Sequence, residues 1–388
     1  MSNSVKYFVV ITLILTPIFD LTCAAQNKWY KGNTHTHTTY SDGKLLPYAV
    51  KDLYVEAGYD FLFFTDEDRI IPIDTLSEES FLVFNGEEAI MDEQHISCLD
   101  IDSAVPPTNF TDVVEKSYLH GGFAVLNHPR RGTHEVWAPA ITRVEQLFFM
   151  EIFNGKSEKD LHHDDQTTWD TVLTHGKLIY GVAADDFHEA KHLGKGWIMV
   201  RADTLQKDSI LASILRGDFY SSTGPVINDI LVTDTSIHIE AENATQIKFI
   251  GNNRTTLYTE ASNVADYTIT GEEGYIRVEV INGSSTAWTQ PLYWNKEFEP
   301  FPNSANSVMS DKGRYSVYPN PASELISIVA DNIAVKSNLT VISMSGQVVF
   351  NKDFSDKVTF DVSVLQPGLY TLIISDEQGV YAQKQLVI

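Results

Sequence analysis

Cysteine is nearly absent from this chain: 388 residues carry two, Cys23 and Cys98. Positive charge is also scarce, with 28 Lys and Arg against 52 Asp and Glu, for a formal net charge of −24 at pH 7. A surface of that sign repels phosphate backbones and argues against non-specific nucleic-acid binding. Beyond residue 25 no apolar run approaches the ~20 residues of a membrane-spanning helix. Tandem repeats are lacking too. Apolar residues are not: 43% of the chain is hydrophobic and 11% aromatic, enough to exclude global disorder. At roughly 150 residues per domain, the length suggests two or three domains.

Residues 1–25 read as a secretory signal peptide. Lys6 precedes the apolar run Tyr7–Leu15, and small residues stand at −3 and −1 of a cut after Ala25. Cys23 leaves with that segment. Cys98 then has no partner for an intramolecular disulfide and is expected as a small buried hydrophobe.

Over residues 26–224, strand-like and helical patterns alternate. Candidate strands are Asn33–His37, Phe61–Thr65, Phe81–Asn85, Phe123–Asn127, Leu147–Phe153, Leu178–Ala184 and Trp197–Val200. Candidate helices lie near 47–57, 110–120, 166–175 and 207–216, and each stops at a glycine (Gly58, Gly121, Gly176, Gly217). Glycine is the residue best suited to a left-handed position after a helix. Such alternation marks parallel βα units, and about seven strands make a barrel-like α/β fold. Residues 225–300 change to short alternating segments with Asn, Gly and Thr turns, as in a small β-sandwich. A Pro-, Asn- and Ser-bearing linker over 301–314 leads to a second all-β block over 315–388.

Polar ligand types recur where these strands end. His35 and His37 form an H-x-H on the first, so alternation turns both imidazoles to one face, able to share a metal ion. Asp42 follows in the next turn. Later strands lead to Asp66-Glu67-Asp68, to Glu87, to His128-Pro129 and to Asp185-Asp186-Phe187-His188, while Glu151 stands within the run at 147–153. In a (β/α) barrel the strand C-termini converge on one rim, where active sites lie. Mixed His, Asp and Glu sets suit Zn, Mn or Fe. Arg130 and Arg131, directly after His128-Pro129, offer forked donors for a phosphate or carboxylate. His95 is expected to be structural, and His162-His163-Asp164-Asp165 to be a solvated loop. The runs Phe61–Phe64 and Phe148-Phe149 are expected in the barrel core.

In this order, the stretches Gly32–Gly43, Thr65-Asp66, Gly86-Glu87, Asn127-His128-Pro129 and Asp186-Phe187-His188 resemble the polymerase-and-histidinol-phosphatase (PHP) superfamily. Ala57–Phe63, Trp169–Leu173, Gly181–His188 and Gly217–Pro225 are similar to its carbaryl-hydrolase-type (CehA/McbA-like) branch. The resemblance spans roughly residues 28–250 and implies a distorted (β/α)7 barrel followed by two small all-β sandwiches. Carried over, it implies His35, His37, Glu87 and Asp186 as ligands of a first metal. Glu87 would bridge to a second ion held by His128 and Glu151. Asp42 and His188 would form part of a third site, where Glu67 stands at a position normally held by histidine. Glu67 thus puts the third of two or three divalent ions (Zn, Mn or Fe) in question. Near Tyr318–Ala322, Ser345–Val349 and Leu365–Tyr370 the end of the chain resembles the type A sorting domain of the Bacteroidota type IX secretion system, which implies passage through the periplasm to the outer surface.

The reading that follows is a secreted multinuclear hydrolase without a transmembrane segment in its mature chain. Glu87, His128, Asp186 and Arg130 are its expected catalytic residues. A hydroxide between two metals is the expected nucleophile, and a small or oligomeric phosphoester the expected substrate. An ester or carbamate hydrolase with the same site is the alternative among enzymes. A non-catalytic metal- or glycan-binding surface protein is the alternative outside them.

Overall fold

The structure, a computed structural model, describes residues 28–73, 75–91, 94–129, 137–144, 146–156, 165–293, 315–318, 325–330, 336–343, 348–355, 357–366, 368–376 and 379–387. The expected signal peptide, Arg130, Arg131 and the His162-His163 pair lie outside these residues. In chain order the first block comprises β1 (Lys28–Asn33), α1 (Pro47–Glu56), β2 (Phe61–Phe63), β3 (Leu82–Phe84), β4 (Gly86–Met91), β5 (Gln94–Leu99), α2 (Phe110–Leu119) and β6 (Phe123–Leu126). It continues with α3 (Trp137–Arg143), β7 (Phe149–Asn154), α4 (Gln166–Thr174), β8 (Tyr180–Ala184), β9 (Trp197–Ala202), α5 (Lys207–Arg216) and β10 (Phe219–Ser222).

Strand alternation explains how the aromatic runs pack. Phe61 and Phe63 turn into a shared interior with Phe84, Phe123, Phe149 and Phe219. Leu62 and Phe64 turn the other way, against Val50 and Tyr54 of α1. Around the interior run two sheets. One carries β1, β2 and β3 in parallel, with β9 antiparallel to β1 and β10 antiparallel to β9. The other has the order β4-β5-β6-β7-β8, and only β6, β7 and β8 are parallel. The sheets meet where the Ser221 hydroxyl donates to the Gly181 carbonyl at 2.8 Å and accepts the Ala183 N–H at 3.0 Å.

These strand directions do not make up a full (β/α)7 barrel, the distorted form of which was expected. Only two residues separate β4 from β5, and so short a link permits a hairpin but no parallel crossover. The four foreseen helices are present, and the glycines after them all have positive φ, from +73° to +90°. The added helix α3 carries Pro139 in its first turn, where proline is tolerated although it interrupts a helical sequence pattern. No helix among the described residues is long and apolar enough to cross a membrane.

The sandwich is not set apart by a break in the sheet. Its strands are β11 (Val226–Val232), β12 (Ser236–Glu242), β13 (Gln246–Gly251), β14 (Thr255–Glu260), β15 (Val264–Thr268), β16 (Tyr275–Asn282), β17 (Ser285–Thr289) and β18 (Leu292–Tyr293). β11, β12 and β15 form one face, whereas β17 pairs with β10 and carries the first sheet on into β16, β13 and β14. A buried ion pair adds to this junction. Arg277 on β16 reaches α4, its Nε and Nη2 donating to the two Asp170 oxygens at 2.8 and 2.7 Å. Tyr275 donates to the same carboxylate at 2.7 Å, Glu279 accepts from Arg277 Nη1 at 2.8 Å, and the guanidinium lies over Trp169. In the tail, strands including Leu325–Ala330, Ser337–Ser343 and Leu369–Asp376 enclose a separate core of Ile326, Ile328, Leu339, Val341, Leu372 and Ile374.

Replacing Arg277 by Leu strands the Asp170 carboxylate, and urea unfolding should show a loss of about 3–5 kcal/mol. Cys98 is wholly buried and its thiol is pushed up to about 12 by burial. It should therefore resist iodoacetamide at pH 8 until the chain is unfolded, as peptide mass spectrometry would record.

Candidate metal centre

β1 stops at Asn33, short of the H-x-H. The Asn33 amide donates to the His35 carbonyl at 2.8 Å and to the Thr36 hydroxyl at 2.7 Å, and such local bonds compete with a ladder. A single bridge between Thr36 and Phe187 preserves the alternation beyond it. His35 and His37 therefore share a face, their Nε2 atoms 3.0 Å apart. Asp186 Oδ1 lies 3.4 Å from both.

Glu88, not the expected Glu87, brings its carboxylate to these imidazoles. Its Oε1 lies 3.4 Å from His35 Nε2 and 3.3 Å from His128 Nε2, and its Oε2 lies 3.3 Å from His37 Nε2. Neighbouring residues on a strand face opposite ways. Glu87 accordingly points to the far side of β4, where it accepts the Val105 N–H beside Cys98. Burial pushes its carboxyl up to about 7. The hairpin adds His95, whose Nδ1 is 3.0 Å from Glu88 Oε1 and whose ring packs edge-on against His128. His95 was expected to be structural. The missing signal was the hairpin itself, which carries Glu88 and His95 on one face.

Glu151 stands beside the cluster, engaged on both oxygens. Oε1 accepts from His35 Nδ1 at 2.7 Å, and Oε2 accepts from the His128 N–H at 2.7 Å and from Asn154 at 2.9 Å. It fixes the His35 tautomer and leaves Nε2 facing the cluster. His128 and Asp186 both have left-handed backbones, φ 26° and 48°. Strain of that kind costs about 1–3 kcal/mol per residue.

The far end opens to solvent. Asp42 Oδ1 lies 3.4 Å from His37 Nδ1 and its Oδ2 lies 3.0 Å from His188 Nε2, while 47% of its side chain is exposed. The His188 ring stacks on His37, centroids 4.2 Å apart. Lys156, unforeseen, sets its Nζ 2.8 Å from His188 Nε2. Glu67 lies in the same field: burial, then Asp42 and Glu88, raise its carboxyl. Asp185 is a loop anchor, accepting the N–H groups of Gly194, Lys195 and Gly196 and the Tyr54 hydroxyl.

The electrostatics match the donor set. Burial opposes charge on His35, yet Asp186, Glu88 and Glu151 hold its imidazole well above the usual range. Burial is likewise outweighed at His37, raised to about 9 by bonds to Asp186 and Glu88. Against their own burial, Glu88 and Asp186 are held well below the carboxylate range by these histidines. A field that retains protons on buried imidazoles also attracts divalent cations. Three groups of ligand atoms, each within 4.8 Å of one another, fit such ions: His35, His37 and Asp186; Glu88, His95 and His128; His37, Asp42 and His188. Buried His128 Nδ1 has no hydrogen-bond partner among the described residues.

Residues 316–388 match the family described as the secretion system C-terminal sorting domain. This type IX tail routes the protein to secretion or to the cell surface, as in Bacteroidota. No curated protein matches the chain's sequence. Among solved structures, it is similar to a two-domain protein from Bacteroides vulgatus containing a predicted PHP-like metal-dependent phosphoesterase. The identity is 16%, with 66% of this chain and 92% of that chain covered, at a TM-score of 0.41. An amidohydrolase from Chromobacterium violaceum is 18% identical over 40% of this chain and 87% of its own, at a TM-score of 0.32. An immunoglobulin-like β-sandwich protein of the DUF3244 family, also from Bacteroides vulgatus, is 16% identical over 20% of this chain and 87% of its own, at a TM-score of 0.19.

Proposed function

We propose that this exported protein is a multinuclear metal-dependent hydrolase of the PHP type, and that phosphoesters are its substrates. The observation that carries the reading is Glu88, a buried carboxylate whose two oxygens face different histidines, Oε1 toward His128 and Oε2 toward His37. On this reading His35, His37 and Asp186 would hold one ion, and Glu88, His95 and His128 would hold another. Bound ions supply Lewis acidity, acidifying water and offsetting the charge that grows on the ester oxygens. The chain's own part is to orient that site. Glu151 keeps His35 in one tautomer, Asn154 ties Glu151 to Asp186, and Asn127 donates to Glu88 at 2.8 Å. The exposed Asp42 end supports entry of substrate there, and the Lys156 ammonium beside it favours an anionic ester over a neutral one. The carbaryl-hydrolase-type branch, with ester or carbamate substrates, is the rival.

Glu88→Gln should lower bound Zn or Mn after desalting and cut turnover at least about 100-fold, whereas Glu87→Gln should do neither. The reverse pattern, read by elemental analysis and kinetics, would return the centre to Glu87. Full-length protein should hydrolyse p-nitrophenyl phosphate or its bis ester, and dipicolinate should abolish the activity. Turnover of p-nitrophenyl acetate or naphthyl methylcarbamate alone would decide for the rival.

A further inference from the structure

We propose that a cavity between the sandwich and the first sheet, remote from the metal centre, binds neutral sugar residues of a glycan. Its volume is about 300 Å³, at the lower end of the range of about 300–1,000 Å³ for small-molecule sites. It lies between β9 and β10 on one side and the β11–β12 hairpin on the other, and no residue of the cluster lines it. Trp29, near the start of β1, stands in its wall, whereas the imidazoles follow the end of that strand. Counted along extended chain from Trp29 to His35, the two sites are about 20 Å apart. A small substrate held at one does not reach the other.

The walls combine apolar, aromatic and charged surface. Ile237, Ile239 and Val278 give a buried apolar floor, and Leu231 and Val232 line the same cavity with exposed side chains. The Trp29 indole is a fixed plate, its Nε1 donating to the Asn228 carbonyl at 3.0 Å and its ring edge-on to Tyr220. Arg201, paired with Trp29 across β1 and β9, is the cation of the cavity. Among the described residues no carboxylate pairs with it, and its guanidinium makes one hydrogen bond, from Nη1 to the Ile230 carbonyl at 3.4 Å. Most of its N–H donors are therefore left for a ligand. Asp218 and Asp229 line the cavity as well, Asp218 accepting from Arg216 Nε at 2.9 Å. This mixture decides the ligand class. An anion would meet the two carboxylates, a cation would meet Arg201, and a purely apolar ligand would strand all three charges. A hydroxyl both donates and accepts, so a neutral sugar pairs with guanidinium and carboxylate together. Its C–H faces match Trp29, Leu231 and Val232. Bound in this way, the exported chain is held on a glycan while the metal centre stays free.

The test is native affinity electrophoresis of the full-length protein through gels holding xylan, glucomannan, hydroxyethylcellulose or soluble starch, with polygalacturonate as the anionic comparison. Wild type should be retarded by at least one neutral polymer and not by polygalacturonate. Arg201→Met removes a charged hydrogen-bond donor and should weaken that binding at least about tenfold. Leu231→Asp, at an exposed side chain, should weaken it too, with the circular dichroism spectrum unchanged. This second variant decides should Arg201→Met not fold. No retardation in any neutral gel overturns the proposal. So does retardation by polygalacturonate alone, which would make the ligand an anion. Full retardation of Leu231→Asp also overturns it, because the sugar would then bind elsewhere. None of these readings depends on ions in the cluster, so the glycan site stands or falls apart from the hydrolase reading.

Discussion

Buried negative charge is the constraint on which this structure depends. Glu88, Glu151 and Asp186 are almost fully withdrawn from solvent, and Asp42 and Glu67 add their charges at the open end. Carboxylates so confined need cations or donors around them, because desolvation without compensation costs several kcal/mol per ion. The fold supplies donors from many directions: imidazoles from the β1 end, from β5 and from the loops after β6 and β8, and amides from Asn127 and Asn154. Left-handed His128 and Asp186 are tolerated because these partners over-determine them.

Rigidity beneath the site follows from the same logic carried through the sheet. β9 pairs with β1, just beyond whose end the first imidazoles stand, β10 joins β9 to the sandwich, and Arg277 ties β16 back to α4. The sandwich is therefore part of the platform that supports the cluster. The tail has its own core and a different task, export, for which its match to a sorting domain is sufficient.

Much of this was legible in the sequence, because the signals were local. The H-x-H, the glycine-stopped helices and the ligand types at strand ends depend only on spacing and alternation. What stayed hidden depends on partners distant in the chain. β5 reads Gln94-His95-Ile96-Ser97-Cys98-Leu99, with polar residues facing the cluster instead of solvent, so it carries no ordinary strand signature. Without that hairpin the face of β4 was undetermined, and one residue separates Glu87 in the hydrophobic layer from Glu88 in the cluster. Lys156 was hidden for a similar reason: nothing near it in sequence announces His188 or Asp42.

The central claim is that one buried His and carboxylate cluster holds neighbouring metal ions. X-ray absorption at the metal edge of the loaded, full-length protein tests it most directly. The account predicts a mixed imidazole and carboxylate shell and a metal–metal vector of about 3.5–4 Å. An isolated ion in an oxygen-only shell would contradict it.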